Sequence, residues 1–225
     1  MNRIIFSRYI TVFPPDQPPP IIITDESTVM VDLEKGGIWR KRGFFPPGSF
    51  YTLDKHATSV MVWGGIGPNG YKTKLLRCPK RMNAEKYIKM ILENDIITNL
   101  NTQFGATYLF QQDGAPPHRA KLTQKNLLSK VPGTISWPAK SPDLSPIEQL
   151  WDYLKNKVRG VFFKNEDELF NRLSQEWDQI PPEIVHNHYS SMRARCIICQ
   201  KINGHCLNGH WGEVKKEHDL YRKSL

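Results

Sequence analysis

The sequence predicts an α/β domain in which a mixed five-stranded sheet is flanked by helices. Two patterns lead there: short apolar, β-branched and aromatic runs bounded by glycines in the first third, and strands alternating with amphipathic helices afterwards. Strands arranged first as a meander and later as strand-helix units imply a sheet with both antiparallel and parallel neighbours. At 225 residues the chain is long enough for one sizeable core with appendages.

The elements follow in order. Pro14, Pro15, Pro18, Pro19 and Pro20 each fix their own backbone and lack a donor, so residues 1–20 read as a flexible, proline-rich leader. The runs "IIITDESTVMV", "GIWRKRG" and "SVMVWGGIG" read as three strands. A helix starts near Asn83, a good N-cap, with Ala84, Tyr87, Ile88, Ile91 and Leu92 on one face. "ATYLFQQD" reads as a central strand ending in Asp113, "HRAKLTQKNLLSK" as a helix, "TISWP" as the fifth strand and "PIEQLWDYLKNKV" as another helix. "EDELFNRLSQEW" and "PPEIVHNHYSSMRAR" supply helical cover, and no internal repeat or heptad run is visible. The domain is placed at residues 21–205, with a basic tail at 206–225.

The formal charge of +9 favours a polyanionic partner. Its distribution is more telling: residues 35–90 hold twelve Lys or Arg against Asp54 and Glu85 alone, so Arg40, Lys41, Arg42, Lys72 and Lys74 are the expected phosphate-facing cations. No run of eighteen apolar residues occurs and the N-terminal apolar stretch is too interrupted for a signal peptide, so no membrane partner is expected and the chain reads as soluble and intracellular. Four cysteines, three of them crowded between residues 196 and 206, do not form a secreted disulfide framework.

Three carboxylates stand out. Asp113 closes a strand and opens a Gly-Ala-Pro-Pro turn, which suits either a site at the carboxyl edge of a sheet or an Asp-Gly turn held by its own backbone. Glu148 fits a capping box with Ser145 as N-cap and Pro146 at the first helical position, yet the wheel puts it with Asp152, Lys155 and Arg159, away from the buried stripe of Ile147, Leu150, Trp151, Leu154 and Val158. Asp25 lies in or after the first strand, where alternation allows only one of Asp25 and Glu26 to point at Asp113. Asp143, between Pro142 and Pro146, suits a rigid turn that orders the start of the next helix.

The motifs "DES", "QQDGAPPH" and "SPDLSPIEQLW", with thirty-four residues between Asp113 and Glu148, resemble those of mariner-superfamily transposases of the Tc branch. "IWRKRG", "SVMVWGGI", "NAEKYI" and "IPPEIVHNHYSSMRAR" resemble the same family in the same order. The resemblance spans residues 22 to about 205 and implies a ribonuclease H-like catalytic domain with Asp25, Asp113 and Glu148 as its triad and metal ligands. It makes Asp143 a positioning residue and matches His118 to the family's histidine, as a metal, DNA or helix-start residue. Gly114 replaces the usual Asn, which loosens the turn without removing a ligand.

The implied reaction is DNA strand cleavage and strand transfer with two Mg²⁺ or Mn²⁺ ions, held by hard oxygen ligands roughly 3.5 to 4 Å apart. The implied partners are double-stranded DNA, a second copy of the chain to pair two ends, and a separate recognition chain or N-terminal segment, since nothing before Asp25 has the length of the family's helix-turn-helix region. The nucleus is the expected compartment in a eukaryote. A non-enzymatic DNA-binding remnant and a structure-selective nuclease of the same fold are the competing readings. Cys196, Cys199, His205 and His210 have knuckle-like spacing for zinc, but the family's matching positions are mainly apolar, which favours packed thiols.

Overall fold

The computed structural model describes residues 2–14, 20–31 and 58–223. The expected strand at 37–43, with Arg40, Lys41 and Arg42, lies outside them. At the centre of the sheet is β1 (Ile21–Met30), antiparallel to β2 (Ser59–Ile66) and parallel to β4 (Leu109–Gln112). β2 pairs antiparallel with β3 (Leu76–Arg77), β4 pairs parallel with β5 (Thr134–Ser136), and the order is β3-β2-β1-β4-β5. Among the described residues the sheet is mixed and five-stranded, and it includes β3, whose two residues are too few to show a period.

Helices cover both faces. On one lie α2 (Ala84–Tyr87), α3 (Asp95–Phe104) and α5 (Lys121–Leu128); Tyr87, Ile88, Ile91, Ile96, Ile97, Leu100 and Leu127 pack there with Ile22, Trp63 and Phe110. Asn83 caps α2 by accepting from the Lys86 amide. The helix then opens into a wide turn over Ile88–Leu92, and α3 follows with Asn94 bonding the Asp95 amide at its start. α3 is an additional helix beyond those the sequence pattern predicts, and its buried Ile96, Ile97 and Leu100 carry the helical spacing.

The other face is covered by α6 (Ile147–Val158), α7 (Glu166–Asp178) and α8 (Pro182–Lys201), whose apolar stripes meet Ile21, Ile23, Val29 and Val62. Two segments depart from expectation. Residues 3–12, read as part of a flexible leader, form α1, because Phe6 and Ile10 are buried against α8 and Asn2 accepts from the Ile4 amide. Within the basic tail, residues 211–223 form α9, fixed to α8 by buried Val214, a Lys201–Glu217 pair at 2.9 Å and a His218–Ser190 hydrogen bond at 2.8 Å. Among the described residues no helix is long and apolar enough to cross a membrane.

One close approach fixes how α6 and α7 sit on the sheet. Trp151 and Trp177 stack with centroids 5.3 Å apart, and a Cβ on Gly64 would come within 2.9 Å of Trp151 and 3.2 Å of Trp177. The bare strand position gives the indole pair its seat. Gly64→Ala should therefore lower stability by about 1–3 kcal/mol through overpacking. Gly212→Ala, where nothing lies within 4 Å, should leave the midpoint of thermal unfolding at or above that of the wild type.

Candidate active site

Parallel pairing of β1 with β4 runs from Ile21 opposite Leu109 to Ile23 opposite Gln111. Beyond it, side chains take over the stitching: the Thr24 amide donates to Gln111 Oε1 at 3.1 Å, and Thr24 Oγ1 donates to the Gln111 carbonyl at 2.7 Å. Asp25 and Asp113 follow directly along the two strands. Asp113 is also the turn residue that local sequence suggested, since its Oδ1 accepts from the Ala115 amide at 2.9 Å. The turn bond leaves Asp113 at the carboxyl end of β4, on the wall of a cleft.

Glu148 sits in the first turn of α6, but the capping box does not form: Pro146 occupies the cap position and no side chain bonds the free amides. Proline at the cap and a preceding 3₁₀ turn over Pro142–Leu144 already fix the chain direction. The carboxylate is left to face a cleft of about 450 Å³ lined by Asp25, Asp113 and Glu148 together with Thr24, Gln111 and Lys140. Lys140, a non-glycine residue at φ 52°, brings a cation to the cleft wall that the sequence pattern did not single out.

The loop before α6 is tied from several directions. Arg3 of α1 forks onto Asp143 with contacts of 2.7 and 2.6 Å, and the Leu207 amide donates to the same carboxylate at 2.9 Å. Buried Arg195 of α8 donates to the carbonyls of Asp143 and Ser145 and to Gln149 Oε1. Asp143 is thus held in the loop before α6 by Arg3 and Arg195, partners that sequence reading missed. Their sequence separations of 140 and 52 residues leave no local signal.

The carboxylates differ electrostatically. Asp25 is pushed up to about 7, first by burial and then by the negative charge of Glu148, although the Trp151 Nε1–H donates to its Oδ2 at 3.0 Å. Glu148 is raised, mainly by burial. Asp113 is lowered, chiefly by its hydrogen bond from His118. His118, buried within α4 (Pro116–Arg119), places Nδ1 2.6 Å from Asp113 Oδ1 and Nε2 3.1 Å from Glu26 Oε1. Burial disfavours the charged ring, but the two carboxylates outweigh it and lift His118 to about 9. Among the described residues, Glu26, Asp113 and His118 form the one group whose possible ligand atoms all lie within 4.8 Å of one another.

Other expected site residues are placed differently. Lys72 Nζ donates to the carbonyls of Asp178 and Ile180 at 3.0 and 2.8 Å, so it caps the end of α7. Lys74 is exposed. Arg77 and Lys80 pair with Glu166 and Asp167 in the first turn of α7, so part of the basic excess is balanced by a distant acidic segment. Cys196 and Cys199 are fully buried and pack among the apolar side chains of the core.

This strand order, with helices on both faces, Asp25 within the central strand and Asp113 just past the end of its parallel neighbour, is that of a ribonuclease H-like domain. The chain belongs to the DDE superfamily endonuclease family, which matches residues 20–170, within the branch of the Tc transposases. It is 31% identical over 179 residues to the Tcb2 transposase of Caenorhabditis briggsae, covering 78% of this chain and 65% of that one. It is also 31% identical over 196 residues to the Tc1 transposase of Caenorhabditis elegans, covering 82% and 68%. The chain thus spans about two thirds of the length of these curated relatives.

Among solved structures, the catalytic domain of Mos1 mariner transposase is similar at a TM-score of 0.59 and 18% identity, covering 82% of each chain. A Mos1 paired-end complex with Mn is similar at 0.67 and 19%, covering 90% of this chain and 60% of that one. At such identities the likeness establishes the fold.

The Arg3–Asp143 pair predicts a pH dependence. Burial opposes the ionised Asp143, but Arg3 and the Leu207 amide outweigh it and hold its carboxyl below the usual range. Its contribution is therefore complete above the unfolded carboxyl pKa, near 3.9, and is lost as pH falls through the lower folded value. Asp143→Asn should lose about 3 kcal/mol at neutral pH. Between pH 5 and 3 its unfolding midpoint should fall less steeply than that of the wild type, as read by circular dichroism.

Proposed function

We propose that the chain is the catalytic domain of a Tc-type transposase, cutting and joining strands of double-stranded DNA with divalent cations. The observation that carries this reading is the meeting of Asp25, Asp113 and Glu148 in one cleft of a DDE-family chain. The donor set suits Mg²⁺ or Mn²⁺: three carboxylates supply hard oxygens, burial raises both Asp25 and Glu148, and the charge of Glu148 raises Asp25 further, a cost that a cation relieves. Solved Mos1 relatives are described with Mn and with Mg, which supports the same choice. Two ions bound by Asp25, Asp113 and Glu148 would polarise a phosphate and activate the attacking oxygen.

The residues of the chain do the remaining work. Trp151 holds Asp25 through its indole N–H while its ring closes the core behind the carboxylate. Arg195 and Asp143 fix the start of α6 and with it the direction of Glu148. Lys140, on the cleft wall, is placed to contact a phosphate, and Lys74 supplies charge at the surface. Lys72, tied to α7, keeps its structural role. A homodimer in the nucleus that pairs two DNA ends completes the proposal, with end recognition supplied by a further segment or chain.

Asp113→Asn, Asp25→Ala and Glu148→Gln should each reduce Mn²⁺-dependent nicking of duplex DNA to background, measured with end-labelled oligonucleotides. DNA binding, followed by fluorescence anisotropy, should persist in the variants and weaken steeply with salt in variant and wild type alike. Equal loss of cleavage and binding would refute this division of labour. Mn²⁺ at about a hundred times its Kd should stabilise the wild type by about 2.7 kcal/mol for each ion bound, and the triple alanine variant should show no such gain.

A further inference from the structure

Adjacent residues of β1 send their carboxylates to opposite sides of the sheet. Asp25 faces α6, where Trp151 meets it, whereas Glu26 faces the α2 side and meets His118. The His118 ring is 3% exposed and spans from Glu26 to Asp113. Its setting is held from several sides: the Tyr87 ring lies 4.4 Å away, the Tyr87 hydroxyl donates to Gln112 Oε1 at 2.8 Å, and Gln124 Nε2 donates to the His118 carbonyl at 2.7 Å. Asp113 Oδ1 consequently receives both the His118 Nδ1 contact and the Ala115 amide, while among the described residues Oδ2 has no hydrogen-bond partner.

We infer that Glu26 and His118 are positioning residues that lock the Asp113 carboxylate in one orientation, so that a single oxygen, Oδ2, is presented to a cation in the cleft. This deepens the function proposed above and rests on it. Glu26, His118 and Asp113 could in principle ligate an ion themselves, but both ring nitrogens are already engaged, and the Glu26 and His118 side chains are 12% and 4% exposed. A partner that orients a ligand typically controls metal affinity by about 10- to 100-fold.

The test uses Mn²⁺ alone, titrated calorimetrically into the whole chain and its variants. His118→Ala should weaken binding about 10- to 100-fold, and Glu26→Gln by about tenfold, with an unchanged number of ions bound. His118→Asn, whose amide nitrogen can occupy the position of Nδ1, should recover most of the loss. A purely structural defect would not be rescued in this pattern. Wild-type affinity in His118→Ala, where Asp25→Ala and Glu148→Ala abolish binding, would overturn the inference and leave the proposed function standing. Fewer ions bound by Glu26→Gln would also overturn it, making Glu26 a ligand.

If Asp25→Ala and Glu148→Ala bind Mn²⁺ as the wild type does, the proposed site itself fails. The clamp is then judged without metal, in the ¹H–¹⁵N spectrum of histidine-labelled protein. A slowly exchanging Nδ1–H of His118 that disappears in Asp113→Ala and shifts in Glu26→Gln supports it. Absence of that proton in the wild type overturns it.

Discussion

The parallel junction of β1 with β4 is the constraint on which the cleft depends. β4 ends at Gln112 while β1 runs on to Met30, so the parallel register brings Asp113, just past the end of β4, beside Asp25 in the middle of β1. Three backbone-paired positions fix the register, and the Thr24–Gln111 pair extends it by one step through side chains. A one-residue slip of β1 would exchange the faces of Asp25 and Glu26 and bury one carboxylate against the wrong helices. The two Thr24–Gln111 hydrogen bonds oppose such a slip, whereas the run of Ile21, Ile22 and Ile23, apolar towards both faces, would tolerate it.

The sheet also separates two electrostatic environments. On the α6 side, among the described residues, no basic side chain is bonded to Asp25 or Glu148, and both are harder to ionise than usual. On the α2 side, Glu26 and Asp113 share a histidine and Asp113 ionises more readily. Asp113, at the end of β4, belongs to both environments.

Much of the architecture was legible because it is written in period: the buried stripe of α6, the Asn83 cap, and the strand ending before Asp113 all follow from local spacing. The cleft was legible mainly through family resemblance, since local rules favoured a cap for Glu148 and a turn for Asp113. Proline at the cap position undid the first, and the second coexists with the site. The ties to Arg3 and Arg195 and the role of Glu26 were not legible, because each joins residues far apart in sequence through contacts that carry no periodic mark. Prolines in the leader misled for a related reason. They forbid helix where they stand, but say nothing of the ten residues that α8 holds in place before them.

Asp143 is where widely separated parts of the chain are knotted: Arg3 reaches it from α1 and the Leu207 amide from the turn after α8. The loop leading into α6 is therefore a latch with two keepers, neither of which belongs to the strands or helix that carry the cleft carboxylates. Trimming either flank would keep Asp25, Asp113 and Glu148 in the protein and still release the latch. For anyone cutting the chain down to a minimal fragment, the boundaries are set by this latch and lie well outside the acidic residues.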